Sequence, residues 1–269
     1  GGSGRNTAIV RSNYLTPEGV AFYNRSLDLY NSMAQDLNLN VMFSRRGHLT
    51  LAHTERGVSG LRERALTNQL CGVNSRLIFP DEIREHVPDM QLEGSLRYPV
   101  MAALYHPPGG IIRHDAVVWA YARGADAGGV HVHQLTEVTD LEVTDGAISG
   151  VVTNRGRIKA GAVVNATAGY ASTIAAMAGR QIPLETHPLQ ALVTEPLKPW
   201  LHSVIVSSTL HVYVSQTDRG ELVIGAEVDD YASYSLRGTL PFAESAATHL
   251  LELFPFLANV RMLRQWAGL

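Results

Sequence analysis

The chain has 269 residues, of which 45% are hydrophobic, and it carries a formal net charge of −3 at pH 7. This length and composition predict a soluble globular protein with one large domain or two interleaved domains. Lysine and arginine are scattered along the chain and form no basic stripe, so nucleic acids and membranes are excluded as main partners.

Cysteine content and the first residues bear on the cellular compartment. The single cysteine, Cys71, excludes an internal disulfide and offers no metal-ligand spacing. The first residues contain neither a methionine nor the apolar segment of a signal peptide, and we predict a cytoplasmic location. Because the chain opens with GGSGRN and stops within the strand-like run RMLRQWAGL, we also expect a fragment that lacks both ends and is inactive alone.

A long helix is the first clear element of the chain. Residues 7–15 are predicted to form a short strand or an extended segment, and Thr16-Pro17-Glu18 then begins a helix that ends near Leu37. One face of this helix is apolar at helical spacing and should pack on a sheet; it consists of Val20, Tyr23, Leu27 and Tyr30.

The region that follows has α+β character. Residues 41–53 are predicted to form a hairpin that turns at Arg46-Gly47. A charged helix is expected from about Glu55 to Leu70, and a second, short helix near Pro80 to His86.

The second half begins with a glycine-rich turn and a helix over residues 109–129. Alternating apolar and polar residues, with turn signals at Asp145-Gly146 and Arg155-Gly156, then predict a β-meander. We expect it to end in a buried strand, AVVNAT, at residues 162–167. The remainder reads as further strands with one covering helix near residues 244–253.

One histidine, His114, lies between Arg113 and Asp115, where a loop turns into the helix of residues 109–129. Asp115 can cap that helix by accepting backbone N–H bonds, which would fix the preceding residue at the turn. From these residues alone, His114 is either an ordinary surface side chain beside a helix cap or part of a functional site.

The order of helix, meander, VVNATAG and helix resembles the second half of the FAD-binding domain in the D-amino-acid oxidase superfamily. Further blocks narrow the resemblance to the family of β subunits of heterotetrameric sarcosine oxidases: GRNTAIVRSNY, AQDLNLNVMFSRRGHLTLAH, RYPVMAALY, RHDAVVWAYARGAD, LETHPLQALV, HVYVSQTDRGELVIGA and LELFPFL. The GxGxxG turn, whose amides take a pyrophosphate in this superfamily, is absent from the 269 residues. The resemblance places it upstream of Gly1.

The resemblance implies an α/β fold with two interleaved domains. An incomplete, Rossmann-like FAD-binding domain without its first βαβ unit is expected over residues 1–40 and 108–180. An α+β substrate domain with a mixed sheet is expected over residues 41–107 and 181–269. Ligands would bind where the two domains meet.

The resemblance also implies an activity, namely the oxidative demethylation of sarcosine to glycine. A noncovalent FAD would oxidise the amine, and electrons would pass to a covalent FMN and on to oxygen, giving hydrogen peroxide. The expected partners are the alpha, gamma and delta subunits of a heterotetramer. Oxidation of another secondary amino acid, such as N-methylglutamate or an opine, remains open. So does a nonenzymatic role as a flavin-carrying or subunit-docking module.

Four side chains receive specific roles from the resemblance. His114 would carry the FMN, since attachment to the flavin 8α carbon requires a neutral imidazole nitrogen as nucleophile. Arg113 would neutralise a reduced flavin or a phosphate. Arg11 would bind the substrate carboxylate with both arms of its guanidinium, or else form a structural ion pair. Tyr213 would line the substrate pocket, or else be an ordinary half-buried strand residue.

Backbone contacts to FAD are expected from a segment that passes the pyrophosphate and the ring in this family, here Gly2, Ser3, Arg5, Thr7 and Ile9. The alternative for that segment is a flexible chain end. Val138 matches a strand residue whose backbone reaches the adenine, or is a core valine. Gly169 permits a close backbone approach, although glycine turns after strands are common.

Two further histidines, His131 and His133, could suggest a metal. They alternate on one face of a predicted strand, and no suitably placed third ligand completes a zinc site. We therefore expect exposed strand residues and no metal.

Overall fold

The structure is a computed structural model that describes residues 1–94 and 96–269. The helices are α1 (Pro17–Asp36), α2 (Glu55–Leu70), α3 (Pro80–His86), α4 (His114–Ala127), α5 (Ala171–Met177) and α6 (Leu240–Leu253). The strands are β1 (Ile9–Val10), β2 (Ser44–Arg45), β3 (His48–Ala52), β4 (Arg76–Ile78), β5 (Ala102–His106), β6 (Gly110–Ile111), β7 (Val138–Thr144), β8 (Ala147–Thr153), β9 (Gly156–Lys159), β10 (Leu189–Pro196), β11 (Val204–Ser207), β12 (Val212–Gln216), β13 (Glu221–Val228) and β14 (Met262–Gly268). This is an α/β chain, as predicted.

A large mixed sheet forms the centre of the molecule. Its eight strands lie in the order β14-β10-β13-β12-β11-β3-β5-β4, and only β11 and β3 pair in parallel. Helix α6 covers the sheet with an apolar face at helical spacing, made of Phe242, Ala246, Leu250 and Leu253. The main core therefore lies between this helix and the sheet.

The starts of α1 and α2 follow from local capping, and the start of α1 lies where the sequence predicted it. Thr16 precedes α1 and its hydroxyl oxygen accepts the Gly19 N–H at 3.2 Å, while Pro17 occupies the first turn. Thr54 caps α2 in the same way, accepting the Gly57 N–H at 3.1 Å. The predicted bounds of α2 and α3 are confirmed.

The apolar face of α1 is only partly as expected. Val20 and Leu27 are buried, but Tyr23 is 39% exposed and stacks on Tyr14 with ring centroids 3.8 Å apart. Towards its end, α1 packs through Met33 on a small cluster that includes Ala120 of α4 and side chains beside β1 and β6. This helix therefore covers a small sheet and a neighbouring helix.

The hairpin predicted for residues 41–53 is wrong. The chain does turn at Gly47, whose φ of 81° favours glycine, but β2 pairs with β6 whereas β3 pairs with β5 and β11. All five residues of β3 are buried. A strand buried on both faces belongs inside a sheet, so β3 joins the large sheet while the polar β2 stays outside it.

The β-meander is confirmed, and its expected last strand is not. β7, β8 and β9 pair in order, and Asp145 and Gly146 both have positive φ, as a two-residue type I′ turn requires. Residues 162–167 form no strand, and Val164 is 88% exposed. A β-branched run becomes a strand only where a neighbour takes its backbone hydrogen bonds, and no described strand pairs with this one.

Three very short strands form a second sheet in the order β1-β6-β2. Gly110 is required at its centre, because a Cβ there would overlap the carbonyl oxygen of Ser44. The pairing of β1 with β6 is antiparallel. Arg11, which follows β1, and His114, which follows β6, therefore leave this small sheet at opposite ends.

Candidate functional site

Two cavities lie on either side of the segment formed by residues 3–11. The larger, of about 740 Å³, lies between this segment, the start of α4 and one face of the large sheet. The smaller, of about 260 Å³, lies between the same segment and helices α1 and α4. His114 lines both cavities. The larger volume is in the range of sites for cofactors and small molecules.

The structure brings most of the predicted site residues to these cavities. Arg5, Thr7, Arg113 and His114 line the larger one, and Ser3, Ile9, Arg11 and His114 line the smaller one. Among the described residues, the walls of neither cavity include Gly2, Val138, Gly169 or Tyr213. Tyr213 is nevertheless joined to the group, because its hydroxyl oxygen accepts the Thr7 hydroxyl at 3.2 Å.

His114 is the first residue of α4 and is half-buried. The backbone before it is held in place, since Ile112 N–H donates to the Ala8 carbonyl at 3.0 Å and Arg113 N–H to the Val41 carbonyl at 3.1 Å. Its Nδ1 is buried without a hydrogen-bond partner among the described residues. An imidazole with an unpaired ring nitrogen, beside two cavities and next to a backbone held by hydrogen bonds, fits covalent attachment of a ligand through this side chain.

Asp115 does not cap α4, contrary to the expectation. The helix begins two residues earlier than such a cap would allow, at His114, and Arg113 occupies the cap position without a side-chain cap bond. The Asp115 carboxylate instead accepts Arg113 Nη2 at 2.6 Å, Arg113 Nε at 2.9 Å and the Ala116 N–H at 3.0 Å. The hydrogen bonds from Arg113 hold the pKa of the Asp115 carboxyl below its usual value. The charge of Arg113 is thus already neutralised within the protein.

Arg11 has a different environment. Its Nη1 donates to Asn13 Oδ1 at 3.0 Å, and its guanidinium carbon lies 4.3 Å from the centre of the Tyr14 ring. Among the side chains that the structure describes, no carboxylate forms an ion pair with it, so the alternative of a structural ion pair finds no acidic partner there. A half-buried guanidinium without a carboxylate can bind an anion.

Tyr213 packs across the large sheet. It lies on β12 directly opposite Gly225 of β13, and a Cβ at that glycine would overlap the tyrosine ring. Burial raises the pKa of the Tyr213 hydroxyl. The ring is therefore fixed, with its hydroxyl at Thr7.

Val138 and Gly169 lie away from the cavities. Val138 begins β7 and pairs with Thr153. A Cβ at Gly169 would press on Leu269 Cβ at 2.6 Å and on Thr186 Cγ2 at 3.1 Å. In the described chain, the close approach that Gly169 permits is thus to the side chains of Leu269 and Thr186.

Three polar residues that the sequence analysis missed lie behind Arg11. They are Arg64 and Asn68 on α2 and His106 on β5, and all three bond to the loop that follows Arg11. The sequence contains one signal for these residues, at Asn68. Asn68 shares its helix face with Leu61 and Ala65, all of them buried, and a polar residue at an apolar helical position needs a partner.

The histidines and helices bear on metal binding and on membrane crossing. His131 and His133 lie in an exposed loop with ring centroids 6.3 Å apart, so the predicted strand face is wrong. No group of three or more His, Cys, Asp or Glu within the described ranges could hold a metal ion. None of the helices described is both long enough and apolar enough to cross a membrane.

Comparisons with known proteins complete the description. A family model described as FAD dependent oxidoreductase matches residues 1–269. Sarcosine oxidase subunit beta of Rhodobacter capsulatus is 44% identical over 269 residues, and that of Arthrobacter sp is 42% identical over the same length. Both alignments cover 100% of this chain, which spans 65% and 66% of those two proteins. The crystal structure of L-proline dehydrogenase from P. horikoshii has a TM-score of 0.91 at 29% identity, covering 100% of this chain and 71% of that one.

Proposed function

Because the chain belongs to the FAD dependent oxidoreductase family, we propose that it forms the amine-oxidising part of an enzyme that demethylates sarcosine to glycine. The observation that carries the proposal is similarity to sarcosine oxidase subunit beta along all 269 residues. Arg11 and His114, which have the two most specific roles in this proposal, line one cavity.

The proposal includes two flavins at these cavities. We propose that residues 1–40 and 108–180 hold a noncovalent FAD, with Arg5 and Thr7 beside it in the larger cavity, and that His114 carries a covalent FMN. The unpaired Nδ1 of His114 supports the second assignment. When bound, the two flavins supply hydride acceptance from the amine and transfer of two electrons to oxygen, which gives hydrogen peroxide.

The protein's own contribution is positioning and charge. The Arg11 guanidinium binds the sarcosine carboxylate and so orients the N-methyl group. Residues 41–107 and 181–269 form the substrate domain, and its Tyr213 accepts a hydrogen bond from Thr7, which lines the larger cavity. The oxidised amine is an imine, and its hydrolysis, or its capture by tetrahydrofolate on an alpha subunit, releases glycine. Alpha, gamma and delta subunits are the proposed partners.

The test is anaerobic mixing of the complete enzyme with sarcosine, N-methylglutamate, an opine and a carboxylate-free secondary amine. We expect flavin absorbance to bleach at the lowest concentration with sarcosine, and not with the carboxylate-free amine. Admitting oxygen should give one hydrogen peroxide per glycine. If N-methylglutamate or the opine bleaches the flavin at a lower concentration than sarcosine, that compound is the substrate. The absence of bleaching by all four compounds would overturn the proposal.

A further inference from the structure

The loop that follows Arg11 is held by side chains from distant parts of the chain. Ser12 and Asn13 are fully buried although they lie in no strand. The Ser12 N–H donates to His106 Nε2 at 3.2 Å, Arg64 Nε donates to the Asn13 carbonyl, and Asn68 Nδ2 donates to the Tyr14 carbonyl at 2.9 Å. Three consecutive residues are thus each bonded through the backbone to a different side chain.

These three side chains are themselves rigidly placed. Arg64 and Asn68 are four residues apart on α2, so they project from the same side of the helix. Leu61 and Ala65 of that helix pack against Ala52 and Leu104 of the large sheet. α2 is therefore anchored to the sheet, and its polar side chains reach the loop from a fixed base.

His106 is fixed at both ring nitrogens. Its Nε2 accepts the Ser12 N–H, which requires the proton to be on Nδ1. Nδ1 lies 3.1 Å from the Asn74 carbonyl and 3.0 Å from Ser75 Oγ, so its proton has acceptors. The imidazole is held neutral in one tautomer and cannot rotate without losing hydrogen bonds at both ends.

The loop transmits this placement to Arg11. The Arg11 guanidinium donates to the Asn13 side chain and stacks on the Tyr14 ring. Asn13 and Tyr14 are the residues whose carbonyls Arg64 and Asn68 hold. A displacement of either carbonyl would therefore move a contact of the guanidinium.

Arg64 also adds positive charge. Burial, and then the nearby Arg11, lower the pKa of Arg64 to about 10. Among the side chains that the structure describes, no carboxylate pairs with Arg64 or Arg11. An anion held by Arg11 would relieve this uncompensated charge.

We propose that Arg64, Asn68 and His106 are positioning residues that set the place of the Arg11 guanidinium and thereby the affinity for the substrate carboxylate. The inference rests on the proposed role of Arg11. The addition to that role is that substrate affinity depends on Arg64 and Asn68 of α2 and on His106 of β5, which lie behind the loop. None of the three is proposed to touch the substrate.

The first measurement does not depend on activity. In the complete enzyme, Arg64→Met and Asn68→Ala should speed amide hydrogen exchange in residues 8–16 and leave α6 unchanged. Arg62→Gln, an exposed position on the same helix, is the matched control and should change neither. Unchanged exchange in residues 8–16 of both variants would overturn the proposal, whatever the substrate is.

The second measurement couples the loop to Arg11. Arg64→Met should raise the sarcosine concentration that half-saturates flavin reduction about 10-fold, as expected for losing one charged hydrogen bond. Arg64→Lys should recover part of that loss. In an Arg11→Lys background, Arg64→Met should add less than about 2-fold, because coupled residues are not additive.

Additive effects, or an unchanged half-saturation in a folded variant, would overturn the positioning role. Failure of sarcosine to reduce the unaltered enzyme would instead count against the proposed substrate. Hydrogen exchange would then still decide whether Arg64 and Asn68 hold the loop.

Discussion

The two loops that leave the small sheet are supported in opposite ways. The Arg11 loop is buried, and side chains from α2 and β5 hold three of its backbone groups. The His114 turn lines two cavities and carries a partly exposed ion pair, Arg113 with Asp115. A buried bond is costly to break, whereas an exposed ion pair contributes little.

Under the proposed function, this difference separates two tasks within one site. Orienting a carboxylate requires a guanidinium that does not move, and the buried loop provides this rigidity. Covalent attachment requires an imidazole whose ring nitrogen is not already committed, and the His114 turn leaves Nδ1 unpaired. We therefore expect substitutions near Arg11 to lower substrate affinity by graded amounts. Substitution of His114 should abolish covalent attachment completely.

The largest effect is expected at His114. In the complete enzyme, His114→Ala should abolish covalent flavin, because no other nucleophile at the turn replaces the imidazole. Acid precipitation followed by absorbance of the pellet measures this. His133→Ala, at an exposed loop histidine, should keep a yellow pellet. Covalent flavin retained by His114→Ala would contradict the assignment.

Gly110→Ala should damage both loops at once, since they share the small sheet. The new Cβ overlaps the Ser44 carbonyl oxygen, and overpacking of this kind costs about 1–3 kcal/mol or more. Chemical denaturation measures the free energy of unfolding. Gly60→Ala, in open space on α2, is the control and should be neutral or slightly stabilising. Equal stability of the two variants would show that the small sheet tolerates distortion.

Arg11→Lys keeps the charge but loses the planar fork. Substrate affinity should fall by about 1.5–3 kcal/mol, the range for a charged hydrogen-bonded contact. The substrate dependence of flavin reduction gives this value. Arg45→Lys, at an exposed arginine, should leave it unchanged. If Arg11→Lys behaves like that control, Arg11 is structural.

The buried loop should also show a pH dependence of stability. Burial lowers the pKa of His106 from 6.5 to about 4. Below pH 6.5 the unfolded chain binds a proton that the folded chain does not, so stability falls as the pH drops towards 4. Between pH 6.5 and 5.5 this histidine should account for a loss of about 1 kcal/mol. His106→Gln should remove that part of the pH slope in urea titrations, and an unchanged slope would contradict it.

Asp115→Asn should have the smallest effect. It breaks an exposed pair with Arg113, so the free energy of unfolding should fall by less than about 1 kcal/mol. Thermal unfolding at low and high salt measures the change, and the difference should shrink as salt is added. A larger loss would mean that the His114 turn is held as firmly as the Arg11 loop.

The sequence alone determined the elements whose causes are local. The bounds of α2 and α3 depend on a capping threonine, a proline in the first turn and helical spacing, all within a few residues. The β7–β8 turn depends on an aspartate and a glycine that accept positive φ. The family blocks also pointed to Arg11 and His114, which line one cavity.

Tertiary structure decided what depends on distant partners. Whether residues 41–53 form a hairpin, and whether residues 162–167 form a strand, depends on which strands are free to pair. The side chains that hold the Arg11 loop are 94, 51 and 54 residues from the groups they bond. Periodicity and capping describe neighbours along the chain, and a hydrogen bond over such a separation exists only once α2 and β5 have packed around the loop.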